Sequence, residues 1–350
     1  MLNGPVILKI WHIAGTNLKT RVFHGKTFLL ARILALDKCR IILFLHRNNQ
    51  EMANLKEVRN RIASVNTTSQ ITKAMKLVSA SKLKRAQDRI VQMRPYSEKL
   101  NYILGNIMDA LKGEDVSLKV NVKREPKNIL IVLITSDKGL CGGFNSNLIK
   151  TANRLVNETY AAQRKAGGIS MMFIGKKGYD AFKRATDIKL ITDNNSLMNG
   201  VTFEQSTAVS GKITEDFLAA KYDVVELVYA KFVNAATQHW MTERFLPVEK
   251  QEVKGEIKSK HKDNYIFQPN AQVLLEELAP KILNTQFFKA LLDTNASEHG
   301  ARMVAMDAAT NNAGELIRSL KIQYNRERQA AITKEILEIV GGAAALEENG

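Results

Sequence analysis

From Met52 the chain runs as far as Pro95 without a proline and as far as Gly105 without a glycine. Along this stretch apolar or small residues recur in alternating steps of three and four: Leu55, Val58, Ile62, Val65, Ser69 and Thr72, then Ser79, Leu83, Ala86, Ile90 and Met93. That spacing draws one stripe along a helix and is the seam of a coiled coil. Its centre is small or polar at Ser69, Thr72, Lys76 and Ser79, so a partner helix can approach closely there. About 40 residues at a rise of about 1.5 Å make a rod of about 60 Å.

The C-terminal third mirrors this pattern. After Pro280 no proline occurs, and apolar positions include Leu291, Met303, Met306, Leu316, Leu320, Ile332, Ile336 and Ile339. Residues 296–314 are rich in Ala and Gly, which again suits close helix packing. The segment predicts a helix far longer than the ordinary dozen or so residues. Two long helices at opposite ends of one chain most economically form an antiparallel coiled coil with the middle inserted between them.

The middle alternates strand and helix. NILIVLITSDKG opens on an apolar run and turns through Ser136, Asp137, Lys138 and Gly139. SNLIKTANRLVNETYAAQRKAGG has helical periodicity and stops at Gly167 and Gly168. MMFIGKKG is a second strand and turn, YDAFKRA begins another helix, and KYDVVELVYAKFVNAATQHWMTERFLPV holds two β-rich runs that suit a hairpin. The pattern predicts a Rossmann-like α/β domain with a mostly parallel sheet. Charged linkers of low hydrophobicity near residues 113–126 and 250–265 flank it. The domains expected are 52–112 (first long helix), 127–265 (α/β) and 266–346 (second long helix).

Composition narrows the function classes. The formal charge of +16 predicts an acidic partner: nucleic acid, an anionic membrane surface or an acidic protein face. Between Arg59 and Arg94 nine Lys or Arg stand against Asp88 alone, so an acidic counter-surface is expected along the first helix. No aromatic residues interleave for base stacking and no nucleic-acid recognition fold is visible, which speaks against nucleic acid. No run approaches the roughly 18 apolar residues of a membrane span. Cys39 and Cys141 are the only cysteines, which excludes a disulfide scaffold and a cysteine-built zinc site.

Residues 1–51 carry eight Lys or Arg against Asp37 and Glu51. As a secretory signal the segment is flawed, because Lys9 interrupts its first apolar run and no A-x-A site follows. As a transit peptide it is Arg-rich and acid-poor but contains no serine. A third reading takes Met52 as the start and residues 1–51 as an extension outside the mature protein. The pattern that opens at Met52 favours this third reading.

Enzymatic readings find little support. GLCGG after a strand resembles a phosphate-cradling turn, yet it is neither G-x-G-x-x-G nor G-x-x-x-x-G-K-[ST], and a structural turn is the plainer reading. Cys141 in that turn has no obvious His partner and reads as a packed thiol. His239 and His261 have no ligand spacing around them, and His299, three residues from Arg302, reads as helix surface or packing. No catalytic residue, cofactor site or metal site is expected.

Four motifs carry a family resemblance: ITKAMKLVSASKLKRAQ, ITSDKGLCGGFN, ASEHGARMVAMDAATNNAGELI and RQAAITKEILEIVGGAAAL. Together, in this order, they resemble the gamma subunit of the F-type ATP synthase, over residues 52–346. The resemblance implies a non-catalytic central rotor shaft. Its antiparallel helical pair enters the alpha–beta head, and its α/β domain lies at the foot with the epsilon subunit and the membrane c-ring. It implies torque transmission between proton translocation and ATP synthesis or hydrolysis. The implied location is peripheral, on the cytoplasmic face of the bacterial inner membrane, the alternative being the matrix side of the mitochondrial inner membrane. Residue by residue, it places Met75 and Lys76 against an acidic loop of beta. Arg328, Gln329, Thr333 and Glu335 match the motif that hydrogen-bonds to catch loops of the head.

Overall fold

A computed structural model of the chain describes residues 27–110, 119–121, 124–198, 200–248 and 271–347. The chain divides into two compact units: Met1–Ser64 with Arg318–Gly350, and Val65–Ile317. The first long helix, α1, spans Thr27–Ala110, and the last, α6, spans Ala271–Glu347. Helical backbone thus extends upstream of Met52 to Thr27, and α6 passes through Pro280. Of the two linkers expected, residues 111–118, 122–123 and 249–270 lie outside the described residues.

The larger unit is built on a five-stranded sheet. Its strands are β1 (Ile129–Ile134), β2 (Ile169–Ile174), β3 (Lys189–Ile191), β4 (Val224–Phe232) and β5 (Gln238–Leu246), in the order β3-β2-β1-β4-β5. All neighbours are parallel except β4 and β5, the hairpin that the sequence suggests. Every residue of β1 is buried, because helices cover both faces of a parallel sheet. Period-two alternation decides which side chain goes where. Ile129, Ile131 and Leu133 join one core with Phe144, Leu148, Phe173 and Phe182, from α2 (Phe144–Arg154), β2 and α4 (Lys176–Phe182). Leu130, Val132 and Ile134 join the other with Leu83, Ala86 and Ile90 of α1, Phe217 of α5 (Phe203–Leu218), and Phe287 and Leu291 of α6. In this unit the long helices are therefore a layer of the α/β core as well as a coiled coil.

The α1 stripe holds throughout. Val58, Thr72, Ser79, Leu83, Ala86 and Ile90 are buried, and Leu55, Ile62, Val65, Ser69 and Met93 are half-buried. Within the larger unit α1 and α6 run antiparallel, with Thr72 beside Thr310 and Lys76 beside Asp307. The small central residues permit this approach: the Thr72 and Thr310 hydroxyls are 2.8 Å apart.

Three local features depart from the sequence reading. The helix after β1 is not continuous: a π-helical turn at Leu155–Thr159 separates α2 from α3 (Ala161–Lys165). The break buries Tyr160, whose hydroxyl donates to Glu226 Oε1 at 2.9 Å, and Arg244 Nε approaches the same oxygen at 3.3 Å. Strand β3 is only three residues long, too short to leave a periodic signal. Helix α5 buries Ser206 and Ser210 along with Val209, Ile213 and Phe217, and the serines blur its apolar stripe.

Candidate functional site

The turn after β1 is held by side chains. Asn145 accepts from the Ser136 backbone N–H at 3.1 Å and donates to Ser136 Oγ at 2.7 Å and to Cys141 Sγ at 3.2 Å. Gly142 supplies the positive φ, 58°, that the turn requires. Cys141 is buried, as a packed thiol should be. Arg302 of α6 clamps the turn from outside, donating to the carbonyls of Lys138 (3.1 Å) and Gly139 (3.3 Å). Its guanidinium is also paired with Glu298, one turn back, at 2.7 Å.

Beside this turn lies a cavity of about 400 Å³, at the point where the strand order reverses about β1. Lys82, Arg85, Arg89, Lys138 and Arg302 line it, against Asp137 and Glu298. The first three come from the basic run visible in the sequence; the tertiary fold adds Lys138 and Arg302. Burial raises the Glu298 carboxyl above its usual range, with Arg302 opposing. Burial also holds the His299 imidazole down to about 4, helped by the Arg302 and Lys82 charges, so it is neutral at physiological pH. His299 is thus a packed residue of α6. No group of His, Cys, Asp or Glu among the described residues is arranged to hold a metal ion. No described helix is long and apolar enough to cross a membrane.

The residues that the family resemblance singles out fall into both units. Met75 and Lys76, in the larger unit, are half-buried. The Lys76 ammonium is 2.5 Å from Asp307 Oδ1, an intramolecular partner that the sequence reading did not foresee. In the smaller unit Arg328, Gln329, Thr333 and Glu335 are all exposed on α6. Around them Ile322, Ile332, Ile336, Leu337, Ile339 and Val340 are also exposed, between 47% and 72%. Ile332, Ile336 and Ile339 belong to the apolar pattern read along the sequence, yet the chain leaves them exposed. A series of exposed apolar residues along one helix makes this end of α6 a candidate interaction surface.

The family described as ATP synthase matches residues 54–346. The ATP synthase gamma chain of Cytophaga hutchinsonii is 52% identical over 297 residues, covering 84% of this chain and 99% of its own length. That of Flavobacterium johnsoniae is 50% identical over 297 residues, with the same coverage. A chain in the cryo-EM structure of the Euglena gracilis mitochondrial ATP synthase OSCP/F1/c-ring assembly, in rotational state 3, shares the fold. Its TM-score is 0.60 at 20% identity, over 85% of this chain and 96% of that one. Motif order, the paired long helices around a mixed sheet and the extent of these matches agree, and the chain belongs to the ATP synthase gamma chain family.

Proposed function

We propose that the chain is the central rotor shaft of an F-type ATP synthase, carrying torque between proton flow through the membrane c-ring and the alpha–beta head. The observation that supports this most directly is the exposed apolar end of α6, from Ile322 to Val340, in a member of this family. A helix that leaves such residues in water is stabilised by a surrounding protein surface. The alpha and beta subunits are the proposed surroundings, with epsilon and the c-ring at the α/β foot. The complex would sit peripherally on the cytoplasmic face of a bacterial plasma membrane.

In this reading the chain breaks no bonds. An asymmetric shaft contacts three chemically identical beta subunits differently, and each contact is a differential binding free energy that biases nucleotide affinity. Met75 and Lys76, and separately Arg328, Gln329, Thr333 and Glu335, are the proposed rotor–stator contacts. Lys76 would exchange its Asp307 partner for a carboxylate of the head, an exchange that half exposure permits.

The test is rotation. The full chain, with Cys39→Ser and with Lys150→Cys on the exposed face of α2, is assembled with alpha and beta subunits on a surface and tagged with a bead. ATP should drive unidirectional turning in thirds of a revolution. Sustained hydrolysis with a bead that only diffuses would overturn the proposal.

A further inference from the structure

A second cavity, of about 250 Å³, lies at the end of β4 between α1 and α6, wholly inside the larger unit. Its floor is apolar at Phe232 and Leu292, and its walls carry Arg94, Lys231 and Lys289. Asp293, 4% exposed, lines it as well. None of these four charged groups has a hydrogen bond or an ion pair within 4.0 Å to a described residue. Asp293 is buried as a residue, yet its carboxyl oxygens open onto the cavity, where three cations stand near it without a direct partner, Arg94 and Lys231 exposed and Lys289 half-buried.

The charges facing Asp293 come from every element around it. Arg94 and Glu98 stand on α1, Lys231 and the Tyr229 hydroxyl on β4, Glu243 on β5 and Lys289 on α6. Glu243 is already satisfied by Tyr229 and Gln286, each at 2.7 Å, and Glu98 lines the cavity as exposed as Arg94 and Lys231, which leaves one positive charge in excess when Asp293 is ionised and two when it is protonated. Burial pushes the Asp293 carboxyl up to about 6 although Lys289, Arg94 and Lys231 pull it down. Asp293 is therefore the acid in this group able to take a proton near neutrality and become a donor.

We infer that this cavity receives a single compact oxyanion of the phosphate class, held by Arg94, Lys231 and Lys289, with the Asp293 carboxyl facing it. The three cations supply the charge that such a group requires. A whole nucleotide is too large, since pockets for ligands of that size start at about 300 Å³. Ionised Asp293 repels the anion, so binding and proton uptake are linked.

The probe is inorganic sulfate, whose charge stays constant over the range of interest, titrated calorimetrically into the full chain at about pH 5 and about pH 8. We expect saturable one-to-one binding, tighter at the lower pH. Lys231→Met, at an exposed position, should weaken it by about tenfold, the loss of one charged hydrogen bond. Asp293→Asn should keep sulfate binding and remove its pH dependence. Inorganic phosphate should compete for the same site. No saturable heat, a response matched by chloride at equal ionic strength, or affinity unchanged in both Lys231→Met and Lys289→Met would each overturn the inference. A pH dependence that persists in Asp293→Asn would overturn the role given to that carboxyl.

Discussion

The Lys76 ammonium on α1 lies 2.5 Å from the Asp307 carboxylate on α6, bridging 231 positions of sequence. It sits one turn from the buried Thr72 hydroxyl and its Thr310 partner, so the two contacts fix the local register of the helical pair. Small side chains bring the helices together; the ion pair and the threonines say which residues face each other.

Both charges are 40% or more exposed, so the pair is screened and contributes little by itself. Asp307→Asn should cost less than about 1 kcal/mol in urea denaturation, and the difference should shrink in high salt. A loss of several kcal/mol, insensitive to salt, would show that the pair is buried and strongly coupled instead.

His299 and Asp293 should tilt the pH dependence of stability in opposite directions. The His299 imidazole is held down to about 4 from 6.5, so on acidification through that window the unfolded chain takes a proton that the folded chain refuses. Stability is lost there, by about 3 kcal/mol at the full shift. The Asp293 carboxyl is raised from 3.8 to about 6, so across that window the folded chain holds the extra proton and stability is gained as pH falls. His299→Gln should flatten the acid-side loss, and Asp293→Asn should steepen it. Denaturation midpoints at about pH 7 and about pH 4.5 decide the matter. Both variants running parallel to wild type would refute the assignment.

Gly175 caps the start of α4 with a φ of 95°. A Cβ there would stand 2.1 Å from the Thr135 carbonyl oxygen, a contact that a rigid backbone atom cannot relieve. Gly175→Ala should destabilise the chain by about 3–4 kcal/mol, from left-handed strain and displacement of the β1 end. A thermal melt within a degree or two of wild type would mean that the loop yields easily.

Thr333 and Glu335 are exposed and should matter little to the isolated fold. Thr333→Ala and Glu335→Ala are expected to change stability by no more than about 0.5 kcal/mol. In the assembled complex the same substitutions should lower ATP turnover severalfold. Unchanged turnover in both, with full incorporation, would remove them from the rotor–stator contact.

Removing residues 1–51 should leave the melting temperature and assembly with alpha and beta unchanged, since the family match begins at residue 54. Failure of the shortened chain to assemble would assign these residues a structural role.

Much was legible along the chain. Steps of three and four marked the α1 stripe, and no seam position from Leu55 to Met93 is fully exposed. The apolar run of β1 announced a strand of a mostly parallel sheet, and the four motifs announced the family. These signals are local: helix and strand periods specify which side of an element avoids water. They do not name the neighbour. The same reading therefore missed the Tyr160 break, because the reason for it is the buried Glu226, 66 residues away. It treated Ile332, Ile336 and Ile339 as part of an apolar pattern, while the fold leaves them exposed.

The candidate site divides in the same way. Sequence alone determined the two long helices, the inserted α/β fold, the basic run on α1 and the absence of a recognisable catalytic motif. Only the tertiary structure decided that Lys76 pairs with Asp307, that Arg302 clamps the Lys138–Gly139 turn, and that Asp293 faces three unpaired cations across a cavity. Each depends on side chains far apart in the chain meeting in space, and for Arg302 and Asp293 that meeting takes place where little water reaches. There geometry and desolvation set the energy of a charge, and neither is encoded in local spacing.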